Sequence, residues 1–365
     1  MTIDSKDISV IVQGPINEKE TPRCLKSIRR FLPNAEIILS TWTGEDVSNL
    51  DYDILIQNDA PIAPLIEKVK HKEVHNNMNR QLFSIKEGLK KAKRKYAMKL
   101  RSDLILTTDK FLECFDNFQS RTNDYKLFER KILTATLFTR FNIKCGKQYD
   151  RIKMPFHISD WWLFGLREDI NKYFLDTPLA QEPEFTNYFS LKENEFKKTP
   201  YGKSMFKFAP EQYFGYECFA RNFDDIYMED AADYNDELME KFRKCLVNNF
   251  IILEFEQSGI YLNKYPYSKN EKFSGDQYIG LYNFHRYESE YKKYCDSNYE
   301  ITVHNPLFDN EKLGYALLRV YKHIAKFTDK ETPVLQKIEQ LFVGIPISGI
   351  SYFIAATKEK IRSKD

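Results

Sequence analysis

Arg101-Ser102-Asp103 stands between two apolar runs, Tyr96-Ala97-Met98 with Leu100 before it and Leu104-Ile105-Leu106 after it. Such flanks read as a buried strand, where an ionic pair is out of place unless it has a task. The plain alternative is that the two side chains pair and close the strand end. Two further carboxylates sit in suggestive company: Asp160 in His157-Ile158-Ser159-Asp160-Trp161-Trp162, and Glu211 in Ala209-Pro210-Glu211-Gln212. A carboxylate within hydrogen-bond reach of a hydroxyl can take its proton. Glu211 follows Pro210 at an expected helix start, so a first-turn acid favoured by the helix dipole is its bland reading. Asp160 is open to two readings, a helix N-cap or a ligand for a hydroxyl beside an aromatic platform.

The elements that would position these residues follow from apolar runs and their punctuation. Ile8 to Gln13 reads as a buried strand ended by Gly14-Pro15. Residues 21–31 place Cys24, Leu25, Ile28 and Phe31 at helical spacing behind Thr21 and Pro22. Residues 36–42 and 53–59 read as two more strands, 78–92 as an amphipathic helix, and 96–106 as the fourth strand. This β-α-β-β-α-β order predicts an α/β domain with a mainly parallel sheet and helices on both faces. Ligands of such sheets collect at the carboxyl ends of the strands. Gly14-Pro15, Thr41-Trp42, Asn58-Asp59 and Arg101-Ser102-Asp103 all fall at those ends, so four strand ends converge on one crevice.

Downstream, 132–141 reads as another strand, and 155–174 as a short strand, a Ser-Asp turn, aromatic packing and a helix. Residues 176–200 look irregular, an excursion over the site, and 207–223 read as a helix. Residues 237–256 carry both helical and strand patterns.

The chain has 365 residues, 42% hydrophobic and 30% charged, with aromatics at 15%. That is a globular composition with room for a large core. Its 55 basic and 53 acidic residues leave a formal charge of +2, so no overall field draws it to nucleic acid. The six cysteines are scattered without a CxxC pair, which reads as reduced thiols. His71 and His75 are four apart, but the acid at Glu73 does not follow the first His directly, so the HExxH zinc pattern is absent. Polar residues before the first apolar run give no signal peptide, and the expectation is cytoplasmic residence. Residues 341–357 are apolar but interrupted by Gly344, Pro346 and Gly349, and basic residues follow. They read either as a segment at the inner membrane face or as a terminal element packed on the core.

Ser9 to Ile16, Ile28 to Trp42, Asn77 to Leu89 and Tyr96 to Leu106, taken in order, resemble the successive signatures of the WavE family of lipopolysaccharide-synthesis proteins, and through it the nucleotide-binding half of GT-A glycosyltransferases. The resemblance covers residues 9–106. It implies a GT-A-like (Rossmann-type) catalytic domain over 1–235, with a nucleotide-binding half at 1–110 and an acceptor half at 131–235. Residues 236–365 would form a mostly helical extension. The activity implied is transfer of a sugar from a nucleotide-sugar donor to a lipopolysaccharide or capsular-polysaccharide acceptor, with Mn²⁺ or Mg²⁺ as the expected cofactor.

In that frame Asp103 would hold the metal against the diphosphate, since hard cations take carboxylate and phosphate oxygens. Arg101 stands where such motifs carry their first acid, and its guanidinium can itself pair with phosphate. Gln13, Gly14, Pro15, Asp59, Asn79, Arg80, Arg101, Ser102 and Asp103 would line the nucleotide-sugar site. Two of them have plainer readings as well: a turn-forming Asp for Asp59, a helix-surface ion pair for Arg80. Glu211, or else Asp160, would be the base for an inverting transfer, and Trp161 and Trp162 would meet the acceptor. His285 and His304 are candidates for a late metal ligand, though a single histidine is more often structural. The competing readings are a sugar nucleotidyltransferase and a catalytically silent sugar- or membrane-binding scaffold. Against the first, no Gly-rich loop with Lys follows the first strand.

Overall fold

The computed structural model describes residues 3–69, 72–144, 151–182, 185, 188, 207–231, 233–262 and 280–302. The chain begins with β1 (Ile8–Gln13), α1 (Glu20–Phe31), β2 (Glu36–Trp42) and β3 (Ile54–Asn58). A hairpin of β4 (Leu65–Val69) and β5 (Lys72–His75) follows, with no counterpart in the sequence expectations, then α2 (Met78–Lys91) and β6 (Tyr96–Arg101). Next come β7 (Ile105–Leu106), α3 (Phe111–Cys114), β8 (Ile132–Ala135), the pair β9 (Asn142–Lys144) and β10 (Arg151–Lys153), β11 (Trp162–Leu166) and α4 (Arg167–Phe174). The described chain closes with α5 (Pro210–Ala220), α6 (Asp236–Asn249), β12 (Phe250–Leu253), α7 (Phe255–Ser258), β13 (Ile260–Tyr261) and α8 (Phe284–Tyr294).

Seven strands form the central sheet in the order β12-β8-β11-β6-β1-β2-β3. β1 pairs in parallel with β2 and β6, β2 with β3, and β12 with β8, while β11 runs antiparallel to both its neighbours. The mainly parallel α/β sheet expected from the sequence is therefore present. β1 is buried along its whole length, which is why its apolar run shows no alternation. Leu82, Ile85 and Leu89 of α2, and Cys24, Leu25 and Ile28 of α1, turn buried faces inward.

Three boundaries differ from expectation, each for a physical reason. The fourth strand breaks after Arg101, where Ser102 N–H bonds Gln13 O at 3.0 Å and Leu104 N–H turns back to Arg101 O at 3.1 Å. Trp162 and its neighbours, expected as aromatic packing ahead of a helix, are the strand β11, buried on both faces. A domain limit at 235 would cut through the sheet, because Phe250 to Leu253, beyond it, pair with Ile132 to Ala135 at its edge. The apolar segment 341–357 and His304 lie outside the described residues. Among the described residues no helix is long and apolar enough to cross a membrane. Among the described residues, Cys24, Cys114, Cys218, Cys245 and Cys295 are free thiols.

Candidate active site

Successive residues of β6 point to opposite faces of the sheet. Met98 and Leu100 join the core, whereas Lys99 and Arg101, two apart, share the other face. Gln13 lies beside Arg101 in the β1–β6 register. It is buried, and its Oε1 has no hydrogen-bond partner among the described residues. Gly14 follows with φ +126°, and a Cβ there would meet Ser102 Oγ at 3.0 Å. A side chain at that position would be both strained and crowded. Ser102 Oγ donates to Pro15 O at 2.7 Å, which ties the ends of β1 and β6 together.

Arg101 and Asp103 form a two-pronged pair. Nε donates to Oδ1 at 2.9 Å and Nη2 to Oδ2 at 2.8 Å. The guanidinium carbon also lies 4.7 Å from the Trp161 ring centroid, close enough for a cation–π contact. Burial works against the Arg101 charge, and Asp103 outweighs it, so Arg101 is held firmly protonated.

Behind this pair lies a second one. Lys99 Nζ meets Asp160 Oδ2 at 3.2 Å, with both side chains almost wholly buried. Burial pushes the Lys99 ammonium down and Asp160 pulls it back up. Asp160 is set by its neighbour: Ser159 Oγ donates to Leu137 O at 2.6 Å, and Ser159 N–H to Thr139 Oγ1 at 3.0 Å. A strand follows Asp160, not a helix, so it is no N-cap.

Glu211 arrives from α5. Ala209 is the N-cap, Pro210 opens the helix, and Glu211 stands in its first turn, as the bland reading required. The helix docks through Gln212 Nε2, which donates to Pro155 O at 3.0 Å, and through Gly215. A Cβ on Gly215 would come within 2.2 Å of Phe156 O, so only glycine lets α5 approach this closely. That docking brings Glu211 into electrostatic reach of Asp160. The Glu211 carboxyl is pushed up to about 7, first by burial and then by the like charge of Asp160, against the pull of Arg140 and Lys99. His157 is pushed down to about 3 by burial and by Arg140, so it is a neutral imidazole at pH 7. Its Nδ1 lies 2.9 Å from Phe138 O.

Other expected site residues are placed elsewhere or already engaged. Asn79 has both amide atoms on Ala180: Nδ2 donates to its carbonyl at 2.9 Å, and Oδ1 accepts from its N–H at 2.8 Å. Arg80 Nε donates to Pro61 O at 2.9 Å, holding the loop after β3, and among the described residues it makes no ion pair. Asp59 is exposed and accepts from Thr43 Oγ1 at 3.0 Å. Trp162 cannot meet an acceptor: it is fully buried on the core face, 5.3 Å from Phe111 between centroids, with its Nε1 donating to Met98 Sδ. Trp161 is buried too, against Phe138 and beneath Arg101, so it supports the guanidinium and is not an open platform. His75 Nδ1 lies 2.8 Å from Ala63 O and its Nε2 3.3 Å from Glu73, while His285 is buried on α8.

A family model for WavE lipopolysaccharide synthesis matches residues 8–321. The chain belongs to the WavE family. No curated protein matches it. Among solved structures it is similar to Drosophila beta-1,4-galactosyltransferase 7 in complex with xylobiose, at 11% identity and a TM-score of 0.23, over 46% of this chain and 51% of that one. This WavE chain thus spans about half the length of that galactosyltransferase structure. It is also similar to LgtC (9% identity, TM-score 0.28, 69% of this chain and 85% of that one). S. aureus TarS 1-349 is a third (14% identity, TM-score 0.27, 74% and 80%). Scores this low say nothing of substrate or mechanism.

Among the described residues, this WavE site shows no ready cradle for Mn²⁺ or Mg²⁺. Such ions take one or two carboxylates plus substrate phosphates and waters, and Asp103 is the carboxylate at the strand end. Each of its oxygens already accepts a hydrogen bond from Arg101, so an ion there would sit beside a guanidinium. Among the described residues no three His, Cys, Asp or Glu side chains gather to hold an ion. The residue that sequence reasoning missed is Lys99. Its signal was the one that exposed Arg101, a charge inside an apolar strand.

Proposed function

We propose that this protein is a glycosyltransferase that moves a sugar from a nucleotide-sugar donor to a lipopolysaccharide or capsular-polysaccharide acceptor. The observation that carries the reading is the two ion pairs Lys99–Asp160 and Arg101–Asp103 at the carboxyl end of β6, with Glu211 in electrostatic reach, in a WavE family member. Ligands of open α/β sheets bind at that place. The nucleotide lies along the ends of β1 and β6, where Gly14 permits close backbone approach.

In an inverting transfer, the acceptor hydroxyl oxygen attacks the anomeric carbon as the bond to the diphosphate breaks, and Glu211 takes the hydroxyl proton. The nucleoside diphosphate leaves. A base with its proton affinity near the working pH is well matched to this step. Lys99 is a positioning residue: it fixes Asp160, whose charge faces Glu211. The acceptor is a glycan or glycolipid at the inner face of the membrane.

The test is Glu211→Gln, with transfer followed from a panel of UDP-, GDP-, CMP- and dTDP-linked sugars. Turnover falls by about 10²–10⁴-fold while donor binding persists. Unchanged turnover in the Gln variant would sink the assignment of the base.

A further inference from the structure

Asp103 already has a cation. Its two oxygens accept from the Arg101 fork, and the fork is supported from the other side by the Trp161 ring at 4.7 Å. A divalent ion on Asp103 would have to displace this guanidinium or sit against it, cation beside cation. Arg101, by contrast, has capacity to spare. Nε and Nη2 serve Asp103, Nη1 bonds to no described residue, and 27% of the side chain is exposed. Planar guanidinium N–H pairs match phosphate oxygens better than any other side chain does. Gln13, next to Arg101 in register, contributes a buried amide oxygen without a partner at the same strand end. An amide oxygen only accepts, so it suits a hydroxyl or N–H of the donor's sugar or nucleoside and not its phosphates.

We propose that Arg101, and not a divalent metal, is the group that binds the diphosphate of the nucleotide donor. Asp103 then serves as the anvil that aims the guanidinium, and Trp161 as its floor. The inference rests on the glycosyltransferase reading and deepens it by naming the charge that meets the leaving group. Phosphate oxygens engage Nη1 first and then compete with Asp103 for Nη2, so the pair loosens as the donor binds.

The experiment is calorimetric titration of the whole protein with UDP, GDP and TDP, in EDTA and again in Mn²⁺ and in Mg²⁺. We expect one of the three to bind in EDTA with an affinity within about threefold of that in either metal. Arg101→Met weakens that binding by about tenfold or more, and Arg101→Lys, which keeps the charge but loses the fork, gives an intermediate loss. Should the Met variant fail to fold by urea unfolding, the Lys variant carries the comparison. Binding that requires metal overturns this inference and leaves the glycosyltransferase reading standing. Undiminished binding in a folded Arg101→Met or Arg101→Lys variant overturns it too. Absence of binding by all three probes in every buffer overturns this inference, and the glycosyltransferase reading falls with it only if the panel of nucleotide sugars, CMP-linked ones included, also gives no transfer.

Discussion

Lys99 and Arg101 lie two residues apart on the same face of one strand, and each is paired with an aspartate, yet the two pairs are different objects. Lys99–Asp160 is sealed in, with side-chain exposures of 1% and 3%, while Arg101–Asp103 sits at the mouth with 27% and 15%. A pair that water can partly reach is more easily opened than a sealed one, because water competes for both partners. The mouth pair can therefore trade an aspartate for a phosphate at little expense. A buried pair cannot, since each ion has been stripped of water and holds the other in place. Position along one strand thus separates an exchangeable charge from a fixed one.

The largest effect should come from breaking the fixed pair. Lys99→Met leaves Asp160 charged and buried without its partner, which costs about 3–5 kcal/mol of stability. Replacing both partners, as in Lys99→Met with Asp160→Leu, restores most of that stability by removing the orphaned charge, but not transfer activity. Urea unfolding of the single and double variants measures this. Equal loss in the two would show that the sealed pair is not a unit.

Glu211 reports on the same pair through pH. Its carboxyl is raised from 4.5 to about 7 in the fold, so between those values the folded chain holds a proton that the unfolded chain has released. The stability contributed by the protonated group is full below 4.5 and is lost as pH rises through about 7. Relative to Glu211→Gln, the natural protein should lose on the order of 2 kcal/mol between pH 5 and pH 8, once screening at a half-buried group is allowed for. Activity runs the other way, rising with pH as the base form appears. Lys99 lowers the Glu211 value, so in Lys99→Met the step should move to higher pH. A step that stays put would separate Glu211 from the buried pair. Asp160, Arg140, Lys99, Arg101 and Tyr173 are the charged or titratable groups around it, so the observed step belongs to the set.

The half of the fold that holds the mouth pair was legible because its signals are local. Ile8 to Gln13 ends in Gly-Pro, Glu36 to Trp42 is a clean apolar run, and Met78 to Lys91 repeats at three and four. β11 was not legible as a strand, because Trp162 to Leu166 shows no alternation and, unlike Ile8 to Gln13, runs straight into a helix with no Gly-Pro to end it. Phe250 to Leu253 has the same character, and a short apolar run after a helix has no period of its own to mark the change. Within the site, Arg101 and Asp103 declared themselves as charges between apolar runs. The meeting of Asp160 with Glu211 depends on α5 docking against Pro155 and Phe156, a contact across more than fifty residues that no spacing announces. Asn79 shows the converse: a polar residue at a suggestive helix start, whose partner Ala180 is 101 residues away.

The smallest effect tests the mouth pair itself. Asp103→Asn removes a charge but keeps the shape, and an amide can still offer one oxygen to the Arg101 fork. Because the pair is partly open to water and the amide keeps one contact to the fork, stability should fall by on the order of 1 kcal/mol, less than for Lys99→Met. The same variant loosens the anvil beneath Arg101, so the loss should be seen in donor binding more than in folding. A stability loss as large as that of Lys99→Met would mean that the mouth pair is as sealed as the one behind it. Arg101 would then have no freedom to exchange Asp103 for a phosphate, and the division between a fixed and an exchangeable charge on this strand would fail.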